Sequence, residues 1–390
     1  MRRSEEYLYR VCKEYFNVDN IREIKELSGG HINETYEIIF DDCKYVLQQL
    51  NSSVFYSPQG VINNTRLITD HIRKKVIYEG KDPRRSVMSL VKTRYDQDIA
   101  IVDDEYWRCT EFIENGISYN QVPNKEVFYE IGRAVGNFQD LLSDFHTRLI
   151  DDPIKHFHDT WYRYQEFRRV VALDEVGRVH ECKKEIKFIN KRKNKLSIIT
   201  SKIEAREIPR RVTHNDTKSS NVMLDKDTGE YLCLIDLDTV MKGSLLYDYG
   251  DAIRFGASTA LEDETDLDKV GIDFELFESF TEGFLLEMKP KENDLIENST
   301  KPISKEEIRL LYEGYHIITI ELAMRFLVDY LLGDIYFRID KKRPQHNLER
   351  ARNQMKLVTE IEANEKKLKE IINKILIKLE YDPDNLIQID

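Results

Sequence analysis

A polar loop between two apolar stretches carries the residues of this sequence that are best suited to chemistry. Between the apolar residues of RVTH at 211–214 and NVML at 221–224, the chain places Asp216, Lys218 and Asn221. A carboxylate beside a buried strand is costly unless it has a partner, and a divalent cation would offset that cost. Amide and carboxylate oxygens suit Mg²⁺, an ion that also takes phosphate oxygens. The loop therefore indicates metal-assisted chemistry on a phosphate.

A second group of carboxylates follows the next apolar stretch. The segment YLCLIDLDT at 231–239 is predicted to be a strand that ends in Asp236 and Asp238. Two strand ends would then bring these aspartates close to Asp216 and Asn221. We predict that Asn221 and Asp236 hold Mg²⁺. For Asp238 two roles remain open, a second metal ligand or a carboxylate behind the ligands.

The spacing within the loop matches the arrangement of a catalytic base and a metal ligand. Protein kinases use the pattern H-R-D-x-x-x-x-N, in which the aspartate is the base and the asparagine binds metal. Here Asp216 precedes Asn221 by five residues. His214 lies two residues before Asp216, and Lys218 lies two after it. We predict Asp216 as the base and Lys218 as the cation that stabilises the transferred phosphoryl group, whereas His214 is better explained as a brace for the loop.

Nucleotide contacts are predicted in the strand-rich first part of the chain. The turn SGGHINE at 28–34 could bind phosphates through its backbone N–H groups, although a plain hairpin turn is the alternative. In the kinase pattern V-A-I-K the lysine contacts phosphates, but YVLQ places the neutral Gln48 here. Lys218, Arg84 or Arg85 would have to supply the missing charge. The predicted nucleotide-binding residues are Gly29, Gly30, His31, Asn33, Gln48 and Glu111.

Acceptor-binding residues are predicted on two apolar helical stretches. In LLYDYGDAIRF at 245–255, Asp248 is best explained as a helix cap, whereas Asp251 and Arg254 are candidates for an acceptor pocket. In the second stretch, 316–332, three charged residues share one helix face, either as an internal ion-pair ladder or as a face that binds hydroxyls. These three are Glu321, Arg325 and Asp329. The predicted acceptor contacts are Asp216, Arg254, Glu321 and Arg325.

The elements that must position these residues fall into two groups. The predicted strands of the first group are 24–27, 35–40, 44–50, 86–93 and 106–113. With a helix at 64–80 they would form a small unit around a five-stranded antiparallel sheet. Later residues are mostly helical, and one long helix at 347–380 is predicted to cover the larger unit. The fold class is therefore α+β, with a nucleotide-binding lobe at 1–115 and a larger, mainly helical catalytic and acceptor-binding lobe at 116–390.

Composition excludes several other classes of protein. The 390 residues carry a formal charge of −12, which argues against wholesale binding of nucleic acid. The five cysteines form no CxxC pair, which fits a reducing compartment. The apolar stretch 316–332 is interrupted by charges, and no signal peptide is visible, so a cytoplasmic protein without a membrane span is expected. His156 and His158 have no third ligand nearby in the sequence and are interpreted as polar loop residues.

Several motifs together resemble one family of small-molecule kinases. The motifs His-Asn-Asp at 214–216 and Ile-Asp-Leu-Asp at 235–238 look like the catalytic motifs of the aminoglycoside phosphotransferase and choline kinase superfamily. Five stretches are similar, more specifically, to the N-acetylhexosamine 1-kinase group, from about residue 27 to about residue 360. They read GGHINETY, YVLQQLN, THNDTKSSNVMLD, LIDLDTVMKGSLLYDYGDAIRFGA and DYLLGDIYF.

This resemblance implies a bilobal, protein-kinase-like fold that binds ATP and Mg²⁺ in a cleft. It also implies transfer of phosphate to the anomeric hydroxyl of an N-acetylhexosamine, GlcNAc or GalNAc. Three alternatives remain open: the same kind of kinase acting on an aminoglycoside or a choline-like amino alcohol, a metal-dependent hydrolase, and a nucleotide-binding pseudokinase, which Gln48 suggests. The sequence does not indicate an oligomeric state.

Overall fold

The two stretches 34–39 and 44–50 are rich in residues that favour strands, have the turn residues Asp41 and Asp42 between them, and pair as neighbouring antiparallel strands. The computed structural model in which they pair describes residues 3–27, 33–52, 55, 57–290 and 303–389. The strands of this sheet are β1 Glu23–Glu26, β2 Glu34–Ile39, β3 Lys44–Leu50, β4 Leu90–Val91, β5 Ala100–Val102 and β6 Glu105–Glu111. Their order is β1-β2-β3-β6-β4, and β5 pairs with β6, antiparallel throughout.

The prediction of five strands is wrong, because the described residues alone contribute six strands to this sheet. The stretch between the predicted strands 86–93 and 106–113 contributes β5. The stretch 86–93, predicted as a strand, contributes only the two residues of β4, because a helix, Pro83–Ser86, occupies its start. Asp82 caps that helix by accepting a hydrogen bond from the backbone N–H of Arg84, and Pro83 suits the first helical position.

Two longer helices accompany the sheet. They are α1 Glu5–Cys12 and α2 Pro58–Tyr78, and the short helix at Pro83–Ser86 is α3. Buried residues of α1 and of the sheet, among them Leu8, Leu47 and Trp107, form one apolar core. Helix α2 begins earlier than predicted, because Ser57 accepts a hydrogen bond from the backbone N–H of Gly60 and so caps it.

The chain divides into two compact units, and the first draws on three separate segments. It comprises residues 1–117, 145–155 and 223–242. The buried Asn64 of α2 ties the later segments in, because its Nδ2 donates to the carbonyl oxygens of Asp151 (2.9 Å) and Val240 (3.0 Å). The second unit comprises residues 118–144, 156–222 and 243–390.

Helices make up most of the second unit. They are α4 Lys125–Leu141, α5 Thr160–Leu173, α6 Lys183–Arg192, α7 Ile198–Glu204, α8 Leu245–Gly256, α9 Phe274–Glu287, α10 Lys305–Arg309, α11 Leu311–Leu331, α12 His346–Ala363 and α13 Glu365–Lys378. Helices α8 and α11 approach closely, because a Cβ on Gly250 would lie 2.5 Å from the carbonyl oxygen of Gly314. Small residues therefore place α8 directly against the buried α11.

The prediction of one helix over 347–380 is wrong, because two helices meet at Asn364. The Asn364 side chain donates to the carbonyl oxygen of Glu360 (2.9 Å), an interaction that competes with the regular helical ladder. The remaining strands of the described residues are β7 Gly116–Ile117, β8 Arg211–Thr213, β9 Val222–Asp225, β10 Tyr231–Leu234 and β11 Met241–Gly243, and they are divided between the two units. A small antiparallel sheet beside mainly helical structure confirms the predicted α+β class. Among the described helices, none combines the length and apolar character needed to span a membrane.

Candidate active site

The polar loop that follows β8 holds its catalytic candidates in direct contact. Asn215 adopts a left-handed backbone conformation (φ 66°), which asparagine tolerates better than most residues and which turns the chain sharply after β8. The Asp216 carboxylate then lies 3.0 Å from the Lys218 ammonium, and Asn221 Nδ2 donates to it at 2.9 Å. The structure therefore brings together three of the residues predicted from the loop spacing.

These contacts keep Asp216 in the form that a base requires. Desolvation opposes ionisation of this carboxyl, but the charge of Lys218 and the hydrogen bonds from Lys218 and Asn221 outweigh it, so the pKa of Asp216 lies below its ordinary value. The carboxylate is therefore ionised at neutral pH. About a third of the side chain remains exposed (31%), so a substrate can reach it.

Helix α8 positions this loop through Asp248. The Asp248 carboxylate is fully buried and accepts hydrogen bonds from the backbone N–H groups of His214 (2.9 Å) and Asn215 (2.7 Å) and from Gln139 (2.7 Å). The interpretation of Asp248 as a helix cap is wrong, because Ser244 caps α8 and Asp248 lies within its first turn. Burial raises the pKa of Asp248, although the charge of His214 and the three hydrogen bonds oppose this shift.

Replacing Asp248 by asparagine is expected to destabilise the protein by about 2–4 kcal/mol, because an NH₂ group would replace one carboxylate oxygen among three buried donors. Urea unfolding measures the loss. Asp273→Asn is the matched control, since Asp273 caps α9 and asparagine is an equally good cap. Equal, small effects of the two substitutions would mean that Asp248 does not hold the loop.

Within the first unit, a buried arginine lies beside Gln48, the residue at the position of the kinase lysine. Gln48 on β3 and Arg108 on β6 are direct cross-strand partners. Arg108 is fully buried, and its Nε donates to Gln48 Oε1 (3.0 Å), while Gln48 Nε2 donates to Thr35 (3.1 Å). Arg108 Nη1 also donates to Asp238, whose other oxygen accepts from Asn33 Nδ2 (2.6 Å).

The sequence prediction missed Arg108 as a source of positive charge. Of the cations considered there, Lys218 pairs with Asp216 and Arg85 pairs with Asp225 (2.6 Å), and Arg84 is exposed. One signal was present, since Arg108 interrupts an otherwise apolar stretch of β6.

The two candidate metal aspartates differ in surroundings. The predicted strand 231–239 is wrong at its end, because β10 stops at Leu234 and Asp236 adopts a left-handed conformation (φ 60°) that turns the chain. The Asp236 side chain is 39% exposed, whereas that of Asp238 is 4% exposed. Both Asp238 oxygens already accept hydrogen bonds from protein donors. These contacts favour Asp238 as a carboxylate behind the ligands.

The charged face of α11 is not an ion-pair ladder. Glu321 is fully buried and contacts His158 Nδ1 (2.7 Å) and the Thr160 hydroxyl, and Arg325 lies over the ring of Phe157 (4.9 Å). Asp329 instead accepts hydrogen bonds from three backbone N–H groups at 335–337. The sequence prediction treated His158 as a plain loop residue.

The His158 contact links the α11 face to the catalytic loop. His158 Nε2 lies 3.4 Å from the carbonyl oxygen of Asn215. Burial opposes ionisation of Glu321, but the contact with His158 and the charge of Arg325 lower its pKa below the ordinary value. A single residue, His158, therefore connects the charged carboxylate of Glu321 to the loop that carries Asp216.

The remaining predicted residues are placed as follows. Arg254 is buried and pairs with Asp251 and Glu262, both at 2.9 Å, so its guanidinium is strongly held. Asp251 also accepts a hydrogen bond from the backbone N–H of Thr217 (3.2 Å). Glu111 is an exposed residue at the end of β6. Gly29, Gly30 and His31 lie outside the described residues.

The chain is similar to known proteins in sequence and in fold. Residues 23–270 match the phosphotransferase enzyme family (APH). The fold resembles that of a microcompartment-associated aminopropanol kinase, with a TM-score of 0.62, 14% identity, and coverage of 93% of this chain and 98% of that chain. It also resembles a choline kinase from Cryptosporidium parvum Iowa II, with a TM-score of 0.55, 14% identity, and coverage of 96% and 98%.

A third similar structure is a spectinomycin phosphotransferase in complex with ADP and spectinomycin, with a TM-score of 0.52, 12% identity, and coverage of 93% of this chain and 98% of that chain. At these identities the structures show the fold alone, which is the kinase-like fold that was predicted. The family match extends over the sheet, the polar loop after β8 and α8. The chain therefore belongs to the phosphotransferase enzyme family.

Proposed function

We propose that this phosphotransferase moves the γ-phosphoryl group of ATP to the anomeric hydroxyl of an N-acetylhexosamine and releases ADP and a sugar 1-phosphate. The observation that carries the transfer chemistry is the ionised Asp216, held by Lys218 and Asn221 on a loop that α8 positions. The choice of sugar rests on the sequence resemblance, which extends from the catalytic loop into RFGA at 254–257 and the face of α11.

Asp216 and Lys218 divide the chemical work. The Asp216 carboxylate orients the acceptor hydroxyl and takes its proton, the hydroxyl oxygen bonds to the γ-phosphorus, and the bond to the ADP oxygen breaks. Lys218 stabilises the charge on the transferred group. A hemiacetal hydroxyl is more acidic than an ordinary alcohol, so a carboxylate base suffices.

The residues present fit ATP and Mg²⁺. Asn221 directs its Nδ2 toward Asp216, which leaves the amide oxygen to offer to a cation, and Asp236 offers a partly exposed carboxylate. No cluster of three His, Cys, Asp or Glu side chains suited to a metal occurs among the described residues. The side chains of Asn221 and Asp236 each offer an oxygen of the kind that Mg²⁺ prefers, and this ion takes few protein ligands because phosphate oxygens and water complete its shell. When bound, the ion would neutralise phosphate charge.

The acceptor is proposed to contact the α11 face. Glu321 already contacts His158 and Thr160, and a buried carboxylate held in this way can bind neutral hydroxyls through charge-assisted hydrogen bonds. Arg325 adds a planar group with several donors. We keep Arg254 as a proposed acceptor contact, although Asp251 and Glu262 already occupy part of its guanidinium.

An amino alcohol is the second candidate acceptor. Two of the similar structures are described as an aminopropanol kinase and a choline kinase. The buried Glu321 contacts His158, whose ring packs against the rings of Phe157 and Tyr247, and an anion with aromatic rings near it would also suit an ammonium group. The two candidates differ in product and can be separated directly.

The test is ³¹P NMR of the products formed from ATP, Mg²⁺ and a panel of acceptors. The panel contains GlcNAc, GalNAc, ethanolamine, choline and an aminoglycoside. We expect a product phosphorus doublet from coupling to the anomeric proton of an acetamido sugar. The methyl 1-glycoside of GlcNAc is the matched control, because it lacks the reacting hydroxyl and should give no product.

Several outcomes would contradict this proposal. Coupling of phosphorus to a methylene group would indicate C6 of the sugar or an amino alcohol as the acceptor. Reaction with the methyl glycoside would exclude the anomeric hydroxyl. Release of inorganic phosphate without transfer would indicate the hydrolase alternative.

A further inference from the structure

We propose that Arg108 is the cation that contacts the phosphates of the nucleotide, in the role that kinases give to a lysine at the position of Gln48. The inference rests on the proposed use of ATP but not on the identity of the acceptor. It would explain how a chain with a neutral residue at the lysine position binds a strongly charged nucleotide.

The register of the sheet places Arg108 beside Gln48. The two residues lie directly opposite each other on β6 and β3, and directly opposed residues point to the same face of a sheet. The hydrogen bond from Arg108 Nε to Gln48 Oε1 confirms that the two side chains meet. The neutral Gln48 therefore positions the charged guanidinium of Arg108.

One nitrogen of Arg108 is left to serve a ligand. Nε donates to Gln48 and Nη1 to Asp238, but the buried Nη2 makes no hydrogen bond within the described residues. Its distance to Asp236 Oδ1, 3.9 Å, is too long for one. A buried charged donor without a hydrogen bond is costly, and a phosphate oxygen beside Asp236 would supply that hydrogen bond.

Three neighbours hold the guanidinium in place for this contact. Gln48 binds Nε, Asp238 binds Nη1, and Asn33 binds the second oxygen of Asp238. A purely structural role, in which Arg108 only balances Asp238, accounts for two of these contacts but leaves Nη2 unexplained. The planar, multi-donor shape of arginine suits simultaneous binding of a carboxylate and a phosphate.

The experiment is calorimetric titration of the full chain with ATP, ADP and adenosine in Mg²⁺ buffer, without acceptor. We expect Arg108→Met to weaken ATP and ADP binding by about 10–100-fold, the effect of one lost hydrogen bond to a charged group, and to leave adenosine binding within about twofold. Adenosine has no phosphate, so its binding reports whether the unit remains intact.

Moving the charge back to β3 provides the matched rescue. In the double variant Gln48→Lys/Arg108→Met, most of the lost ATP affinity is expected to return, because the lysine would stand where kinases place it. Gln48→Lys alone should give no gain in ATP affinity, since Arg108 already fills the role. Arg108→Lys should retain part of the affinity.

The outcomes separate this inference from the proposed function. If Arg108→Met bound ATP as tightly as the native protein, or lost adenosine and ATP binding equally, the proposed phosphate contact of Arg108 would be wrong. The proposed use of ATP would be unaffected. A large gain in ATP affinity from Gln48→Lys alone would contradict that phosphate contact as well. A native protein that binds no ATP would overturn both the inference and the proposed use of ATP.

Discussion

Asp216→Asn is expected to lower kcat by about 10²–10⁴-fold, the usual contribution of a positioned general base. Asparagine keeps the shape of the side chain and can still accept a hydrogen bond from Lys218, but it cannot take the proton of the acceptor. The fold and ATP affinity are therefore expected to remain. Release of ADP measured in a coupled assay gives kcat, and calorimetry gives the affinity for ATP.

Asp268→Asn is a suitable control, because Asp268 is an exposed carboxylate that should have no effect on turnover. A near-native kcat for Asp216→Asn would show that Asp216 is not the general base, and the catalytic role proposed for its loop would be wrong as well.

The pH profile of kcat adds an independent check. Because the pKa of Asp216 is lowered, its base form persists on the acidic side, and this group should cause no loss of kcat between about pH 8 and 5.

Asp236→Asn is expected to weaken Mg²⁺-dependent ATP binding by about 100-fold. Even residues that only hydrogen-bond to metal ligands contribute about 10–100-fold to metal affinity, and Asp236 is proposed as a ligand itself. Asparagine is preferred over alanine here, since Asp236 has a left-handed backbone (φ 60°) that alanine adopts only at a cost. Calorimetry of ATP with and without Mg²⁺ isolates the effect of the ion.

Asp238→Asn serves as the comparison for this second prediction. It should weaken ATP binding both with and without Mg²⁺, because it loosens Arg108 and leaves the proposed metal ligand in place. If Asp238→Asn specifically removed the Mg²⁺ dependence and Asp236→Asn did not, the metal ligand would be Asp238.

Local spacing predicted the parts of the site that are close in sequence. Asp216, Lys218 and Asn221 lie within one loop, so their types and separations were sufficient to predict their contacts. Strand-favouring residues on either side of the turn residues Asp41 and Asp42 likewise predicted β2 and β3. The break at Asn364 was missed because apolar spacing continues through it, and only a single side-chain hydrogen bond marks it.

Contacts between distant residues could not be predicted in this way. His158 meets Glu321 across 163 residues, and Asp248 meets Asn215 across 33. The periodicity of a sequence carries no information about such pairs, because each partner looks like an ordinary loop or helix residue within its own segment. The left-handed turn at Asp236 was also missed, since aspartate at the end of an apolar run is compatible with a continuing strand.

The pairing of Arg108 with Asp238 also bears on how the protein is made. The two residues are 130 positions apart, so Arg108 leaves the ribosome well before its carboxylate partner. Translation proceeds at about 5–20 residues per second, so Asp238 is synthesised roughly 10 s after Arg108. A closed core around an unpaired guanidinium is unfavourable over that interval. Packing around Arg108 is therefore expected to finish only after residue 238 has been translated, and truncated chains that end earlier should bind nucleotide poorly.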